Sequence, residues 1–210
     1  MIADLPPNTV ERLSLYRRKL QNYITPDRQY IHSHQLAHLL RINPAHIRRD
    51  LMLIKFNGDV HKGYEINKLI KQIGKVIDGP VVRKIAFIGM GDLGRAVGEY
   101  FQDSDAKLQI AATFRLEDGP KVQFPRVNCY NISKMKEIIR KEGIELCVIA
   151  VPSINAVEVA KVAVESGVVG ILNFTSVNID VPDNVYVEDY DMIAILEKMA
   201  YFSNDTEKLF

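Results

Sequence analysis

Two hydrophobic periods follow one another along the chain, and they change over near residue 79. Before that point apolar residues recur every three or four positions, the spacing of helices with one buried face. Val10, Leu13, Tyr16 and Leu20 predict a helix that starts at Asn8, carries Glu11 in its first turn and ends near Tyr23. Tyr30 and Ile31 make a short extended piece. Ser33 is the expected cap of a second helix bearing Leu36, Ala37, Leu39 and Leu40. Asn43 as cap and Pro44 at the first helical position open a third. Ile47, Leu51 and Ile54 form its inner stripe, which leaves His46, Arg48, Arg49 and Met52 outward. Phe56-Asn57-Gly58-Asp59 reads as a hairpin tip, with a returning strand from His61 to Ile66. A helix from Leu69 to Ile77 then leads to Gly79-Pro80, the expected domain junction.

Beyond the junction the period shortens. Continuous apolar runs at 85–88, 108–114, 146–152 and 167–174, with 185–189 as the last, read as strands covered on both faces. A further short strand is expected near 127–130. Helical stretches follow the first run and span 133–141 and 155–166, so strands and helices alternate as in βαβ units with a parallel sheet. The predicted fold is α/β, with two domains. Residues 1–79 form a winged helix-turn-helix, and residues 80–188 a Rossmann-type doubly wound parallel sheet. Met192, Ile195, Leu196, Met199 and Phe202 place one more helix within 189–203, after the last strand. That helix either covers its own sheet or serves as an interface.

The chemistry of the second domain concentrates at Gly89, Gly91 and Gly94. These follow the run Ile85 to Ile88 in the spacing G-x-G-x-x-G and precede helically spaced Leu93, Ala96, Val97, Tyr100 and Phe101. A strand, a glycine turn and a helix N-terminus make a cradle for a pyrophosphate. A tight turn without a ligand is the alternative. In the first domain, two short helices with outward arginines on the second are a helix-turn-helix reading, since a guanidinium offers forked donors to guanine edges and phosphates. His61 and Lys62 would meet DNA from the wing. A three-helix packing domain is the alternative here.

Charge sharpens this picture. The net charge of +1 conceals 13 Lys/Arg against 7 Asp/Glu in residues 1–78 and 14 against 19 in the remainder, or +6 and −5. All five histidines lie in the basic part, so a polyanion is the expected partner of the first domain only. No run of ~18 apolar residues suggests a membrane span, and the N-terminus lacks a secretion pattern, so a cytoplasmic location is expected. Cys147, inside LCVIAV, is expected to be an inert core thiol, and no metal site is suggested.

From end to end the chain resembles the Rex family of redox-sensing transcriptional repressors. The matching pieces are PPNTVERLSLY, AHIRRDL, GDVHKGYEI, IGMGDLG, VIAVP, GILNF and VEDYDM, in that order. The resemblance implies a homodimer that exchanges its C-terminal helix between partners, binds operator DNA, and releases it when NADH binds. It further implies that Arg48 and Arg49, assisted by Lys62, contact DNA; outward His46 and the wing's His61 are expected DNA contacts from their positions alone. The cofactor would be held by Gly89, Met90, Gly91, Asp92, Leu93 and Gly94, by Phe114 and Arg115, and by Val151, Pro152, Asn173 and Phe174. Arg12, Tyr100 and Asp191 match positions that form state-dependent contacts between subunits and domains.

This sequence departs from the family pattern in three places. Arg115 stands where a carboxylate would accept bonds from the adenosine ribose, with Glu117 the nearest substitute. A guanidinium cannot accept those bonds and would welcome a 2′-phosphate, so NADP(H) joins NAD(H) as a cofactor. Asp92 adds a negative charge to the phosphate cradle. Lys55, Val60 and His61 replace the usual Gly, Arg and Gly of the wing. An NADP-dependent dehydrogenase is disfavoured because the second domain has no histidine and no Lys-plus-Tyr pair at short-chain spacing. A DNA-binding protein that senses another nucleotide, or none, is the remaining alternative.

Overall fold

The computed structural model describes residues 5–89, 91, 96, 107–116 and 127–203. Contacts divide the chain into two units, Met1–Val81 and Val82–Phe210. In the first, α1 (Pro7–Tyr23), α2 (Ser33–Leu40), α3 (Pro44–Leu53) and α4 (Ile66–Ile77) surround one core. Leu13, Tyr16 and Leu20 of α1 meet Leu36 and Ala37 of α2, Ile47 and Leu51 of α3, and Ile66, Leu69 and Ile73 of α4. Two helix starts differ from the sequence expectation. α1 begins at Pro7 rather than at an Asn8 cap, because a proline at the first position has no N–H to satisfy. α2 is preceded by His32, whose N–H donates to the Gln35 side chain at 2.8 Å, so Ser33 is already helical. Asn43 does cap α3, accepting from the Ala45 N–H at 2.8 Å.

The wing is smaller than expected, and its strand finds a different partner. Asp59 and Gly63 exchange backbone hydrogen bonds of 2.8 and 2.9 Å, which makes the tip. The returning strand is only β2 (Tyr64–Glu65), and it pairs antiparallel with β1 (Tyr30–Ile31) from before α2. With the strand so short, α4 starts three residues earlier than its periodicity suggests.

The second unit is a six-stranded sheet of β3 (Arg83–Ile88), β4 (Leu108–Arg115), β5 (Cys129–Asn131), β6 (Leu146–Ile149), β7 (Gly170–Asn173) and β8 (Tyr186–Asp189). The spatial order is β5-β4-β3-β6-β7-β8 and every pairing is parallel. That is the doubly wound order in which the winding reverses between β3 and β6, where a crevice opens at the strands' carboxyl ends. Along β3, Ala86 and Ile88 join a core with α5 (Met135–Glu142) and α6 (Ser153–Ser166), while Ile85 and Phe87 join Val148 on the opposite face. The final helix, α7 (Met192–Ser203), has no buried residue. It therefore does not cover its own sheet, and Ile193, Leu196, Met199 and Phe202 stand exposed.

Two left-handed residues that are not glycine occur among the described positions, and both end helices of the helix-turn-helix. Lys55 has φ +54°; its N–H donates to the Met52 carbonyl at 3.0 Å and the Phe56 N–H to Leu51 at 2.9 Å. Arg41, also at φ +54°, closes α2 in the same way through His38 and Ala37. This double bond is the Schellman turn, whose left-handed residue is usually glycine because a Cβ there crowds the following carbonyl. Lys55→Gly is accordingly expected to stabilise the first unit by about 1 kcal/mol, read as a later urea midpoint. An unchanged or earlier midpoint would mean that the lysine side chain compensates for its backbone.

Candidate functional site

The expected recognition helix, α3, is held from behind by a buried carboxylate. Asp50, only 1% exposed, lies on the inner stripe of α3 between Ile47 and Ile54. Its four donors all come from α1. Arg12 reaches it through Nε and Nη2, each at 2.7 Å, the Tyr16 hydroxyl donates at 2.7 Å, and Thr9 Oγ1 at 3.1 Å. Burial pushes the Asp50 carboxyl up, yet the bonds from Arg12 and Tyr16 outweigh it and hold the group below the ordinary carboxylate range. Arg12 is raised in turn, chiefly by its bond to Asp50, and Tyr16 chiefly by burial. Asp50 was missed by the sequence reading, although a charge in the middle of an apolar stripe is the signal that marks it. Arg12, expected at a subunit or domain contact, here has its partner inside its own unit.

With that side of α3 immobilised, His46, Arg48 and Arg49 stand exposed on the other. Arg48 Nη1 donates to Ser33 Oγ at 3.5 Å, which brings the first turn of α2 onto the same surface. At the wing tip, Asp59 Oδ1 accepts from the His61 and Lys62 N–H groups at 2.8 Å each. These two bonds depress its pKa and fix the tip. Lys62 sits over the Tyr30 ring at 5.9 Å, which lays the wing's cation against β1.

In the second unit the crevice between β3 and β6 is built around Gly89. Its φ is +95°, and a Cβ there would lie 2.3 Å from the Ala150 carbonyl oxygen and 2.8 Å from the Val151 nitrogen. Only glycine lets the end of β3 pass so near the end of β6. The Gly89 N–H donates to the Phe114 carbonyl and the Ala150 N–H to Ile88, both at 2.8 Å. At exposed Gly91, by contrast, a Cβ would meet no described atom within 4 Å. No described residue demands a glycine there, whereas a close phosphate would. Met90, Asp92, Leu93, Gly94, Tyr100 and Glu117 lie outside the described residues.

The other expected cofactor residues divide into lining and support. The Phe114 side chain is fully buried and packs against Tyr130. Arg115, half-buried, ends β4 opposite Asn131, and its Nη1 donates to the Leu116 carbonyl at 3.4 Å. Val151 is buried and Pro152 exposed just ahead of α6. Asn173 belongs to the support. It is 0% exposed, and its Nδ2 donates to Val177 O and Asp189 Oδ1 at 2.9 and 2.8 Å. Its Oδ1 accepts from the Thr175 N–H and hydroxyl at 3.0 and 2.7 Å. All its hydrogen-bonding capacity is spent on tying the loop after β7 to β8, because a buried amide must be satisfied internally. Phe174 stacks on Tyr190 with ring centres 4.9 Å apart. Ser153 and Ser176, unforeseen from sequence, meet at 3.2 Å beside the crevice. Asp191 Oδ1 accepts from the Ile193 and Ala194 N–H groups, capping α7. Cys147 is the expected core thiol, pushed up to about 12 by burial.

Residues 4–51 match the family model "Putative DNA-binding protein N-terminus", and residues 80–177 match "CoA binding domain". The chain is 31% identical over 208 residues to the redox-sensing transcriptional repressor Rex of Streptococcus thermophilus, covering 98% of this chain and 95% of the relative. It is 32% identical over 209 residues to that of Streptococcus equi subsp. equi, covering 97% and 98%. Among solved structures, RSP, a Rex-family repressor, superposes with a TM-score of 0.83 at 24% identity over 97% of both chains. RSP with β-NADH matches as closely, over 97% of this chain and 96% of that one. RSP with β-NAD+ and operator DNA gives 0.83 at 23% identity, over 97% and 94%.

The depressed Asp50 pKa sets a pH dependence. A carboxylate whose folded value lies below its unfolded one, near 3.8, contributes stability that is fully present above the unfolded value. That contribution is lost as pH falls through the lower folded value. Asp50→Ala, which strands the buried donors of Thr9 and Tyr16 and the Arg12 cation, is expected to cost about 3 kcal/mol at neutral pH. The gap from wild type should stay constant down to about pH 4 and narrow as the pH falls further, as followed by urea melts from neutral pH into acid. A constant gap would contradict the role given to the ionised carboxylate.

Proposed function

The chain belongs to the Rex family of redox-sensing transcriptional repressors, and from that premise we propose that its dimer holds operator DNA through α3 and the wing and lets go when the crevice between β3 and β6 binds NADH. The likeness to the streptococcal repressors over almost the whole length of both chains carries this reading. The family is one of repressors, so the Rossmann-type sheet acts as a sensor and not as an enzyme. Arg48 and Arg49 are the base- and phosphate-reading residues, with His46, His61 and Lys62 as flanking contacts.

The crevice residues fit a dinucleotide. Gly89 allows the turn, Gly91 leaves space for a phosphate, and Val151 and Pro152 form the wall that leads into the N-terminus of α6. When bound, the dinucleotide supplies a redox-dependent shape and charge that favour one dimer state over the other. Its leverage is limited to its difference in affinity for the two states. Homodimerisation is assigned to the exposed apolar helix α7, and the cytoplasm is the assigned location. Among the described residues no helix is long and apolar enough to cross a membrane. Two recognition helices must reach major grooves about one turn, ~34 Å, apart, so a modest rotation of the dimer loses one half-site.

Arg115 favours a second reading of the ligand. A cation at the carboxyl end of β4 lies where the adenosine ribose is read, which suits the 2′-phosphate of NADP(H).

Replacing both Arg48 and Arg49 with alanine is expected to weaken operator binding by 100-fold or more, at about 1–3 kcal/mol for each lost bidentate contact. Dinucleotide affinity should not change. Anisotropy at physiological salt measures the first and cofactor fluorescence the second; retained DNA affinity would refute the assignment of α3. Arg115→Asp should shift binding toward NADH over NADPH. An unaltered ratio in paired titrations would remove Arg115 from the ribose site.

A further inference from the structure

Besides the half-buried Arg12, α1 carries a buried cation for which neither DNA recognition nor ligand binding has a use. Arg17 is 9% exposed, and its Nη1 donates to both carboxylate oxygens of Asp78 at 2.7 Å each. Asp78 ends α4, and the boundary between the two units follows three residues later, after Val81. The backbone beneath the pair makes room for it. Gly74 lies inside α4, where glycine costs about 1 kcal/mol relative to alanine. A Cβ there would sit 3.1 Å from Asp78 Oδ2 and 3.8 Å from Arg17 Nη1. A helix that gives up propensity beside a largely buried ion pair indicates a pair held in one arrangement, unlike a loose surface bridge.

The same helix holds the recognition helix. Thr9, Arg12 and Tyr16 bind Asp50, and Arg17 is the next residue along α1 after Tyr16. The chain's exit toward the second unit and the back of α3 are therefore both fastened to one 17-residue rod. We propose that the Arg17–Asp78 pair is the latch that couples the sensor to the DNA-binding head. Arg17 and Asp78 act as positioning residues, so that a change in the direction of the chain after α4 turns α1, and through Asp50 turns α3. Without the latch, the exit of α4 could shift while α1 stayed in place, and ligand binding would lose its grip on the helix that reads DNA. This inference rests on the ligand-responsive repressor reading given above.

The full-length protein tests it, with anisotropy on a duplex selected by the wild type, measured with and without saturating NADH. The readout is the factor by which NADH weakens DNA binding, for which 5- to 150-fold is the usual range of such couplings. In Asp78→Asn, ligand-free DNA affinity and NADH affinity should each stay within about threefold of wild type, while the factor falls toward one. Arg17→Gln should do the same from the other partner, and it takes the place of Asp78→Asn should that variant not fold. Arg17→Lys, which keeps a cation against the carboxylate, should retain most of the factor. A lowered melting temperature with an unchanged factor would show that the pair is only structural, and would overturn the proposal. A wild-type protein without any NADH effect would instead sink the underlying repressor reading, and the latch with it.

Discussion

A carboxylate buried on the back of the recognition helix is the interaction on which the DNA-binding head depends. Taking Asp50 out of water costs several kcal/mol, and that cost is met only if the surrounding donors are complete and well aimed. Arg12, Tyr16 and Thr9 supply them from a single helix, and the forked guanidinium makes two of the four bonds in one plane. Such a site tolerates one relative placement of α1 and α3. The outward arginines of α3 are therefore presented at a defined angle, as the proposed reading of base edges requires.

The second unit obeys a steric constraint of the same kind. The ends of β3 and β6 approach so closely that Gly89 has no room for a side chain, and this approach sits at the point where the sheet reverses its winding. Around it the polar groups are spent on support. Asn173 uses every donor and acceptor it has to tie β7, β8 and the loop between them. Buried hydrogen bonds thus support the carboxyl ends of the strands, while Arg115 stays half-buried and Pro152 and the Ser153–Ser176 pair lie at the start of α6.

Ion pairs in the head follow from both demands. One pair fixes α3, and the other fixes the end of the unit. Both run through α1, which itself contributes no DNA contact to the proposed interface.

Helices, strands and the tight turn at Gly89 were legible in the chain because they depend on neighbours within a turn or two. The period of Ile47, Leu51 and Ile54 already decides which side of α3 is buried, and so which arginines face out. The run before Gly89, followed by Gly91 and Gly94, already identifies the turn at the head of a parallel sheet. What lay beyond reach was set by contacts between distant residues. Arg12 meets Asp50 from 38 positions away, and Arg17 meets Asp78 from 61. The two-residue wing strand took its partner from before α2, and Asn173 proved to be a buried tie to Asp189 of β8. Apolar periodicity records which side of an element leaves water. The partner that satisfies a buried charge or amide is chosen only when the elements have packed, because desolvation makes that choice costly and no local pattern encodes it.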